Sequence, residues 1–292
     1  MYLVVIIASL FLDRSVDVSK SLRSFSAYDR WLQGTLERTG DSAWMAVLVL
    51  AGFIIVPALL VQWIDGVLDG VLFGLFSLLW SLIVLFFCYG PLAIDEALSA
   101  YLNAAENGDE EVANDRARRL AGDAGFQGSN TRNLAVIRSL FAQVNTQLVA
   151  VIFWFLVLGP FGAVVYRLAL QVSRDAGSHD EVSDDIAARA HALVGAMTWL
   201  PARVMILAYA LAGHFDCTLT YFLGPDSSNA GNTLAQDNDN CLASAGVCAM
   251  GLDERAVDTD IADVQTARDL IVRSMVVCLA VVALMTLTGW FA

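Results

Sequence analysis

The stretch that decides the fold runs from Ala43 to Ile64 and has the sequence AWMAVLVLAGFIIVPALLVQWI. It contains no Asp, Glu, Lys or Arg, and as a helix it is long enough to cross the roughly 30 Å hydrocarbon layer of a bilayer. Trp44 and Trp63 lie near its two ends, where tryptophan favours the boundary between lipid and water. Pro57 is tolerated inside a membrane helix because neighbouring groups can satisfy the freed carbonyl. The stretch therefore predicts a transmembrane helix.

Other apolar stretches of the chain repeat this pattern. We predict a short helix embedded in the membrane and three more transmembrane helices, at 1–12, 71–89, 148–170 and 271–291. The helix at 148–170 contains Gly159-Pro160 and Gly162, so we expect it to be kinked or unwound at mid-depth. The stretch 190–213 is apolar but contains Pro201 and Arg203. It predicts a broken helix that is either re-entrant or spanning.

The polar segments between the apolar stretches also have helical patterns. Residues 13–41 predict an amphipathic helix at the membrane surface, residues 90–147 a cytoplasmic helical loop, and residues 214–269 an acidic loop. The fold class is therefore all-α, a polytopic helical bundle in which residues 1–292 form a single membrane domain with amphipathic helices and polar helical loops.

Composition supports the lipid bilayer as the solvent of this chain. The mean hydropathy is +0.61, with 57% hydrophobic and 16% charged residues, which lies outside the range of soluble globular domains. The formal net charge of −13 comes mostly from the loops. It argues against a nucleic-acid partner, since neutralising phosphates requires clustered Lys and Arg.

Basic residues next to the apolar stretches predict the orientation. Residues 13–42 and 90–146 carry five Lys or Arg each, whereas 65–70 carry none, so the first two segments are expected in the cytoplasm. If 190–213 does not cross the membrane, residues 173–269 are periplasmic and the C-terminus is cytoplasmic. If it does cross, residues from His214 onward are cytoplasmic and the chain ends outside. Pro201 and Arg203 favour the non-spanning arrangement.

The cysteines and the acidic run of the chain do not match known metal-binding patterns. Cys217, Cys241 and Cys248 lie in one polar segment, and we take Cys241 and Cys248 as a candidate disulfide if that segment is periplasmic. Zinc would need a fourth ligand, and the cysteine spacing fits no zinc pattern. The run at 237–240 (Asp-Asn-Asp-Asn) lacks the glycine and the terminal glutamate of a calcium loop. We therefore predict no metal site and assign no cofactor.

Arg203 is the sharpest functional candidate. A guanidinium in an apolar stretch costs on the order of 3 kcal/mol unless it faces protein, water or an anion. The alternatives are a structural ion pair and a site for an anionic ligand. Tyr209 and His214 flank it; an interfacial aromatic belt and a helix cap explain them equally well.

Three further polar residues are candidates for ligand binding. Asn145 precedes the span at 148–170 and could line a pocket there. Asp95 and Glu96 follow the span at 71–89, where they could orient a cation or act as a general base. The alternative for this acidic pair is the solvated first turn of a helix.

Three motifs carry a resemblance to a known family. They are Ala97–Ala105 (ALSAYLNAA), Phe153-Trp154 with Gly159–Ala163 (GPFGA), and Trp199–Arg203 (WLPAR) with Tyr209–His214 (YALAGH). In order and hydropathy, most of the chain resembles the AmpE family. The resemblance implies a multi-pass protein of the bacterial inner membrane that takes part in β-lactamase induction and cell-wall recycling, with an anionic small molecule or a signalling protein as its partner.

That family is in turn similar to the CobD/CbiB amide-forming enzymes of cobalamin synthesis. Their pattern has carboxylates before the Phe-Trp pair, where this chain has Ala142–Gln147 (AQVNTQ). A second segment of their pattern, containing an aspartate, is replaced by Ala169–Arg174 (ALQVSR). Because metal-assisted ATP chemistry needs carboxylates to hold the cation, the resemblance implies a scaffold without obvious catalytic machinery. The alternative is a residual enzyme of this type that depends on magnesium and ATP and acts on an anionic ligand.

Overall fold

The computed structural model describes residues 2–15, 43–68, 75–89, 93–122, 126, 128–176, 184–222, 233–252 and 259–288. The described part is all-α, as predicted. Its helices are α1 Tyr2–Ser15, α2 Ala43–Leu68, α3 Leu75–Cys88, α4 Ala93–Glu106, α5 Glu110–Ala121, α6 Ser129–Val144, α7 Ala150–Ala176, α8 Asp184–Ala212, α9 Phe215–Thr220, α10 Leu234–Ala249 and α11 Ile261–Leu287. A π-helical turn, Asn145–Val149, joins α6 to α7.

Four helical stretches of the described part are long and apolar enough to cross a membrane. They are Ala51–Leu68, Ser129–Arg174, Ala188–Ala212 and Ile261–Leu287. Helix α3, in the predicted span 71–89, has only 14 described residues. The amphipathic helix predicted over 13–41 lies almost entirely outside the described residues.

Helix α7 is interrupted at Gly159, where the sequence predicts a kink or an unwound turn. Gly159 has φ 68° and ψ −155°, a backbone conformation essentially restricted to glycine. The Tyr166 hydroxyl donates to the Thr146 carbonyl oxygen at 2.8 Å, although in a continuous helix residues this far apart would be separated by about 30 Å. The chain therefore turns back at Gly159, and residues 150–158 and 160–176 form two separate arms.

Helix α8 is continuous through Pro201, so the predicted break at this residue is wrong. Proline has no N–H and frees the carbonyl of the residue four positions earlier, which is Met197. The indole Nε1 of Trp154 donates to that carbonyl oxygen at 3.0 Å. The hydrogen bond lost at Pro201 is thus replaced from α7, and the helix does not need to break.

The buried residues form two clusters. Core A joins α1, α2, α3, α7 and the first half of α8; among its members are Ile6, Ile54, Leu85, Phe155 and Val194. Core B joins α4, α5, α6, α10, the second half of α8 and the first half of α11; among its members are Leu98, Phe141, Tyr209, Leu242 and Ala267. Helix α8 is therefore part of both cores.

The described residues of 214–269 are mostly helical, so the prediction of a loop is wrong for them. They include α9, α10 and the first turns of α11, and every residue from Cys241 to Ala249 is buried. Helix α10 begins at a capping box in which the Thr233 hydroxyl accepts from Gln236 N–H and the Gln236 side chain accepts from Thr233 N–H.

Polar contacts constrain which segments lie on the same side of the membrane. Arg268 Nη2 lies 2.6 Å from Asp95 Oδ1, and both side chains are largely exposed. Gln265 Nε2 donates to Glu106 Oε1 at 3.0 Å. Residues 95–106 and 265–268 therefore lie on the same side, because such contacts cannot form across hydrocarbon. An arrangement with 95–106 and 265–268 on opposite sides is therefore inconsistent with these contacts.

Candidate functional site

Arg203 lies on α8 where this helix packs against α10. Only 8% of the residue is exposed. Its Nη1 donates to Cys241 Sγ at 3.7 Å, and its Cζ lies 5.3 Å from the centroid of the Trp199 ring, within the range of a cation–π interaction. Among the described residues, no carboxylate lies within ion-pair distance of this guanidinium.

The neighbouring thiol of Cys241 does not supply the missing negative charge. Burial raises the pKa of Cys241, and the opposing effect of Arg203 is smaller. The thiol donates to the Tyr221 carbonyl oxygen at 2.9 Å. Because it is protonated at neutral pH, it contributes a weak polar contact and no counter-charge.

Asn145, in the π-helical turn, and Tyr209, in α8, are buried polar residues where this turn packs against α8. Both are completely buried. Both amide atoms of Asn145 and the hydroxyl of Tyr209 have no hydrogen-bond partner within the described part of the chain. The rings of Tyr209 and Phe141 pack edge to face, with centroids 5.2 Å apart, and Phe141 lies one helical turn before Asn145. Buried amides are normally satisfied, so this position suits water or a small polar ligand.

The other candidates face different surroundings. His214 is exposed and joins the end of α8 to the end of α10, because its backbone N–H donates to the Ala249 carbonyl oxygen at 3.0 Å and its Nδ1 lies 3.1 Å from the same oxygen. Asp95 and Glu96 are exposed in the first turn of α4. Asp95 forms the ion pair with Arg268. The structure thus places Arg203 and Tyr209 on α8 and Asn145 in the π-helical turn. The acidic pair Asp95 and Glu96 lies on the surface.

The disulfide joins Cys217 to Cys248, with Cα atoms 5.9 Å apart, which corrects the candidate pair Cys241–Cys248. Cys241 is free and buried. The reason is geometric: both residues of the candidate pair lie in α10, and two helical turns separate their Cα atoms by about 10 Å. Cys217 in α9 instead lies beside the last turn of α10.

Asp239 is a half-buried acid that the sequence does not single out. It lies in α10 beside Asn238, whose Nδ2 donates to the Gly195 carbonyl oxygen at 2.8 Å. Burial raises the pKa of Asp239 to about 7. The oxygen-rich run 237–240 therefore forms the first turns of a packed helix. No group of three or more His, Cys, Asp or Glu that could hold a metal occurs in the described part of the chain.

Arg132 is a second residue that the sequence analysis missed. It is 2% exposed and lies at the centre of a polar cluster in core B. Its Nε donates to the Tyr101 hydroxyl at 3.3 Å, and its Nη1 donates to Asn114 Oδ1 at 3.0 Å and to the Glu110 carboxylate. Tyr101 in turn donates to Asn133. This satisfied cluster fixes α4, α5 and α6 to one another.

Comparison with known proteins identifies the family. The family model described as "Regulatory signalling modulator protein AmpE" matches residues 9–292. The chain belongs to the AmpE family. This confirms the resemblance seen in the motifs, and with its long apolar helices the AmpE family member is a multi-pass membrane protein.

One curated relative of this AmpE family member is a cobalamin biosynthesis protein CobD from Chromobacterium violaceum. It is 29% identical over 163 residues, which cover 52% of this chain and 50% of the relative. The match thus spans about half the length of that relative. No solved structure matches the chain.

Proposed function

We propose that this AmpE family member is a regulatory or sensor protein of β-lactamase induction and cell-wall recycling in the bacterial inner membrane, and that it acts without catalysis. The observation that carries the proposal is the family match over residues 9–292, to a family described as a regulatory signalling modulator. The sensing role requires a physical connection between the membrane part and the polar part of the chain.

Two routes connect the cores. Helix α8 contributes Val194 to core A and Tyr209 to core B. A shift of this helix therefore changes the packing of both cores. Helix α6 continues through the π-helical turn into α7, and π turns within α-helices are frequent at functional sites. We propose that a ligand at Asn145 and Tyr209 biases the packing of the π-helical turn against α8, and that a signalling partner detects the change at the surface of core B.

The proposal is tested in cells that carry an inducible β-lactamase. A strain without this gene is complemented with wild type, Asn145→Ala or Asn107→Ala, and β-lactamase activity is measured with and without a β-lactam inducer. Asn107 lies in the exposed turn after α4 and serves as the control. We expect deletion and Asn145→Ala to change the induced-to-basal ratio, whereas Asn107→Ala matches wild type. A ratio unaffected by deletion rules the regulatory role out.

A second candidate function is amide formation that depends on magnesium and ATP, favoured by the similarity to the cobalamin biosynthesis protein CobD. Ala142–Gln147 supplies amides and no carboxylates, which weighs against cation binding at this place. Purified protein is assayed for ATP hydrolysis with and without magnesium. Hydrolysis that requires magnesium and is lost in Arg203→Ala establishes the enzyme and overturns the non-catalytic role.

A further inference from the structure

The π-helical turn deprives one backbone carbonyl of its usual donor. In a regular α-helix the Ala150 N–H would donate to the Thr146 carbonyl oxygen, four residues earlier. In this structure it donates to the Asn145 carbonyl oxygen, five residues earlier. The Thr146 carbonyl oxygen can therefore accept a hydrogen bond from another part of the chain.

Tyr166 supplies the replacement donor. Its hydroxyl donates to the Thr146 carbonyl oxygen at 2.8 Å, and the residue is completely buried. Tyr166 lies on residues 160–176 of α7, the arm that turns back after Gly159. A carbonyl oxygen that packing shields from water needs a donor. The contact from Tyr166 therefore stabilises the π-helical turn relative to an α-helical turn, in which Ala150 would satisfy the same oxygen.

The π-helical turn also sets the rotation of α6 relative to α7. One residue of a helix corresponds to a rotation of about 100°, so removing the extra residue of the turn would rotate the two helices relative to each other by about this angle. Both helices contact α8. On the α6 side the Phe141 ring packs against Tyr209, and on the α7 side Trp154 donates to the Met197 carbonyl oxygen. The two contacts therefore occur together because the π-helical turn is present.

Asn145 is the first residue of this turn. It is completely buried, and neither polar atom of its amide has a hydrogen-bond partner within the described part of the chain. The position of its side chain is thus set by the backbone of the turn and by packing.

We propose that Tyr166 is a positioning residue, which holds the π-helical turn and thereby keeps the Asn145 amide at α8. A movement of the arm 160–176 that withdraws the hydroxyl lets the Ala150 N–H return to Thr146 and turns Asn145 away from α8. The membrane helix α7 thus controls the candidate ligand site. The consequence for a ligand rests on the proposed function, whereas the placement of Asn145 is tested separately.

Crystal structures of the full chain with Tyr166→Phe and with Tyr89→Phe test the role of the hydroxyl. Tyr89 is the matched control, because it is also buried and its hydroxyl forms a hydrogen bond to another helix, in core A. We expect residues 145–149 to form a regular α-helical turn in Tyr166→Phe and to be unchanged in Tyr89→Phe. A π-helical turn that persists in Tyr166→Phe, or that is lost in both variants, overturns the proposal. Should Tyr166→Phe fail to fold, a wild-type crystal structure in which Thr146 accepts no hydrogen bond from Tyr166 overturns it.

The β-lactamase assay separates this role from a merely structural one. We expect Tyr166→Phe to change the induced-to-basal ratio in the same direction as Asn145→Ala, and the double variant to match Asn145→Ala alone. Effects that add in the double variant show that Tyr166 does not act through Asn145, and they overturn the proposal. If neither gene deletion nor Asn145→Ala alters the ratio, the proposed function fails, whereas the crystal structures still decide the role of Tyr166.

Discussion

Arg132 is a buried arginine within core B. In the described structure its only carboxylate partner is Glu110. Glu110→Gln leaves the buried guanidinium without a counter-charge. We expect a loss of about 1 kcal/mol in the free energy of unfolding, since the carboxylate itself is largely exposed. Thermal unfolding in detergent measures the effect. The control is Glu111→Gln, an exposed neighbour in the same turn; an equal loss in both variants contradicts the role of the ion pair.

The same ion pair has a defined dependence on pH. The hydrogen bond from Arg132 lowers the pKa of Glu110 below its ordinary value of 4.5. The stabilisation is therefore present above that value and is lost as the pH falls through the lowered pKa of the folded protein. We expect the difference in melting temperature between wild type and Glu110→Gln to shrink as the pH falls below 4.5. A difference that stays constant from neutral pH into acid refutes the ionic origin.

Asp239 shows the opposite dependence. Its pKa is raised by burial from 3.8 to about 7, so the folded protein binds a proton that the unfolded chain releases. This contribution to stability is present at low pH and is lost as the pH rises through about 7. We expect Asp239→Asn to raise the melting temperature above pH 7 relative to wild type and to change it little near pH 4. Asp216→Asn, at an exposed position of α9, should show neither effect.

At the scale of helices, the turn at Gly159 decides how α7 fits against its neighbours. A Cβ at this position would force a side chain into a backbone conformation with φ 68° and ψ −155°. We expect Gly159→Ala to destabilise the protein by about 1–3 kcal/mol. The control is Gly52→Ala in α2, where an added Cβ would meet nothing within 4 Å. Equal melting temperatures for the two variants would show that α7 does not need the turn.

The link between α9 and α10 gives a second prediction at this scale. Cys217 and Cys248 are 31 positions apart in the sequence, and a bond that closes such a loop stabilises by about 3–4 kcal/mol in the loop-entropy description. Purified protein should lose one cross-link, detected by thiol alkylation and mass spectrometry, in Cys217→Ser and in Cys248→Ser. In Cys241→Ser the cross-link should remain. A cross-link lost in Cys241→Ser would restore the pairing expected from the sequence.

The sequence predicts the helices of this fold better than their connections. Hydropathy locates the apolar stretches, and Gly159-Pro160 signals the interruption of α7. Nothing local signals that Tyr166 returns to Thr146, because that contact depends on the direction of the turn. Pro201 predicts a break when it is considered locally, because the donor that replaces its hydrogen bond, Trp154, is far away in sequence.

The sequence predicts only part of the candidate site, because some of its residues are buried by contacts between distant parts of the chain. Arg203 is conspicuous because it is a charge in an apolar stretch. Arg132 and Asp239 lie in polar stretches, where a charged residue is ordinarily solvated, and only tertiary packing buries them. Helix α10 was described as a loop because the Ala, Ser, Gly and Cys residues of its buried half have weak hydropathy.

For the whole molecule, the contacts between α4 and α11 constrain the orientation. Residues 95–106 and 265–268 share one side. The five arginines of 90–146 predict the cytoplasm for that side, whereas the disulfide Cys217–Cys248 favours the periplasm, and labelling of single cysteines decides between them.

With this side in the cytoplasm, helix α11 crosses to the outside. We then expect single cysteines at Asp109 and Gln265 to be shielded from a membrane-impermeant thiol reagent in intact cells, and a cysteine at Thr288 to be labelled. The reverse pattern places this side in the periplasm. Labelling of Asp109→Cys without Gln265→Cys would contradict the shared side.

Core B also sets an order of events during synthesis of the chain. Leu98, Phe141 and Leu242 share a cluster with Ala267 of α11, and the ion pair from Asp95 to Arg268 closes the same assembly. Helices α4 to α6 are synthesised before α11. Until α11 is made, the apolar faces that pack against it stay exposed. We expect a chain truncated before Ile261 to leave these apolar faces exposed, and therefore to accumulate less than the full chain.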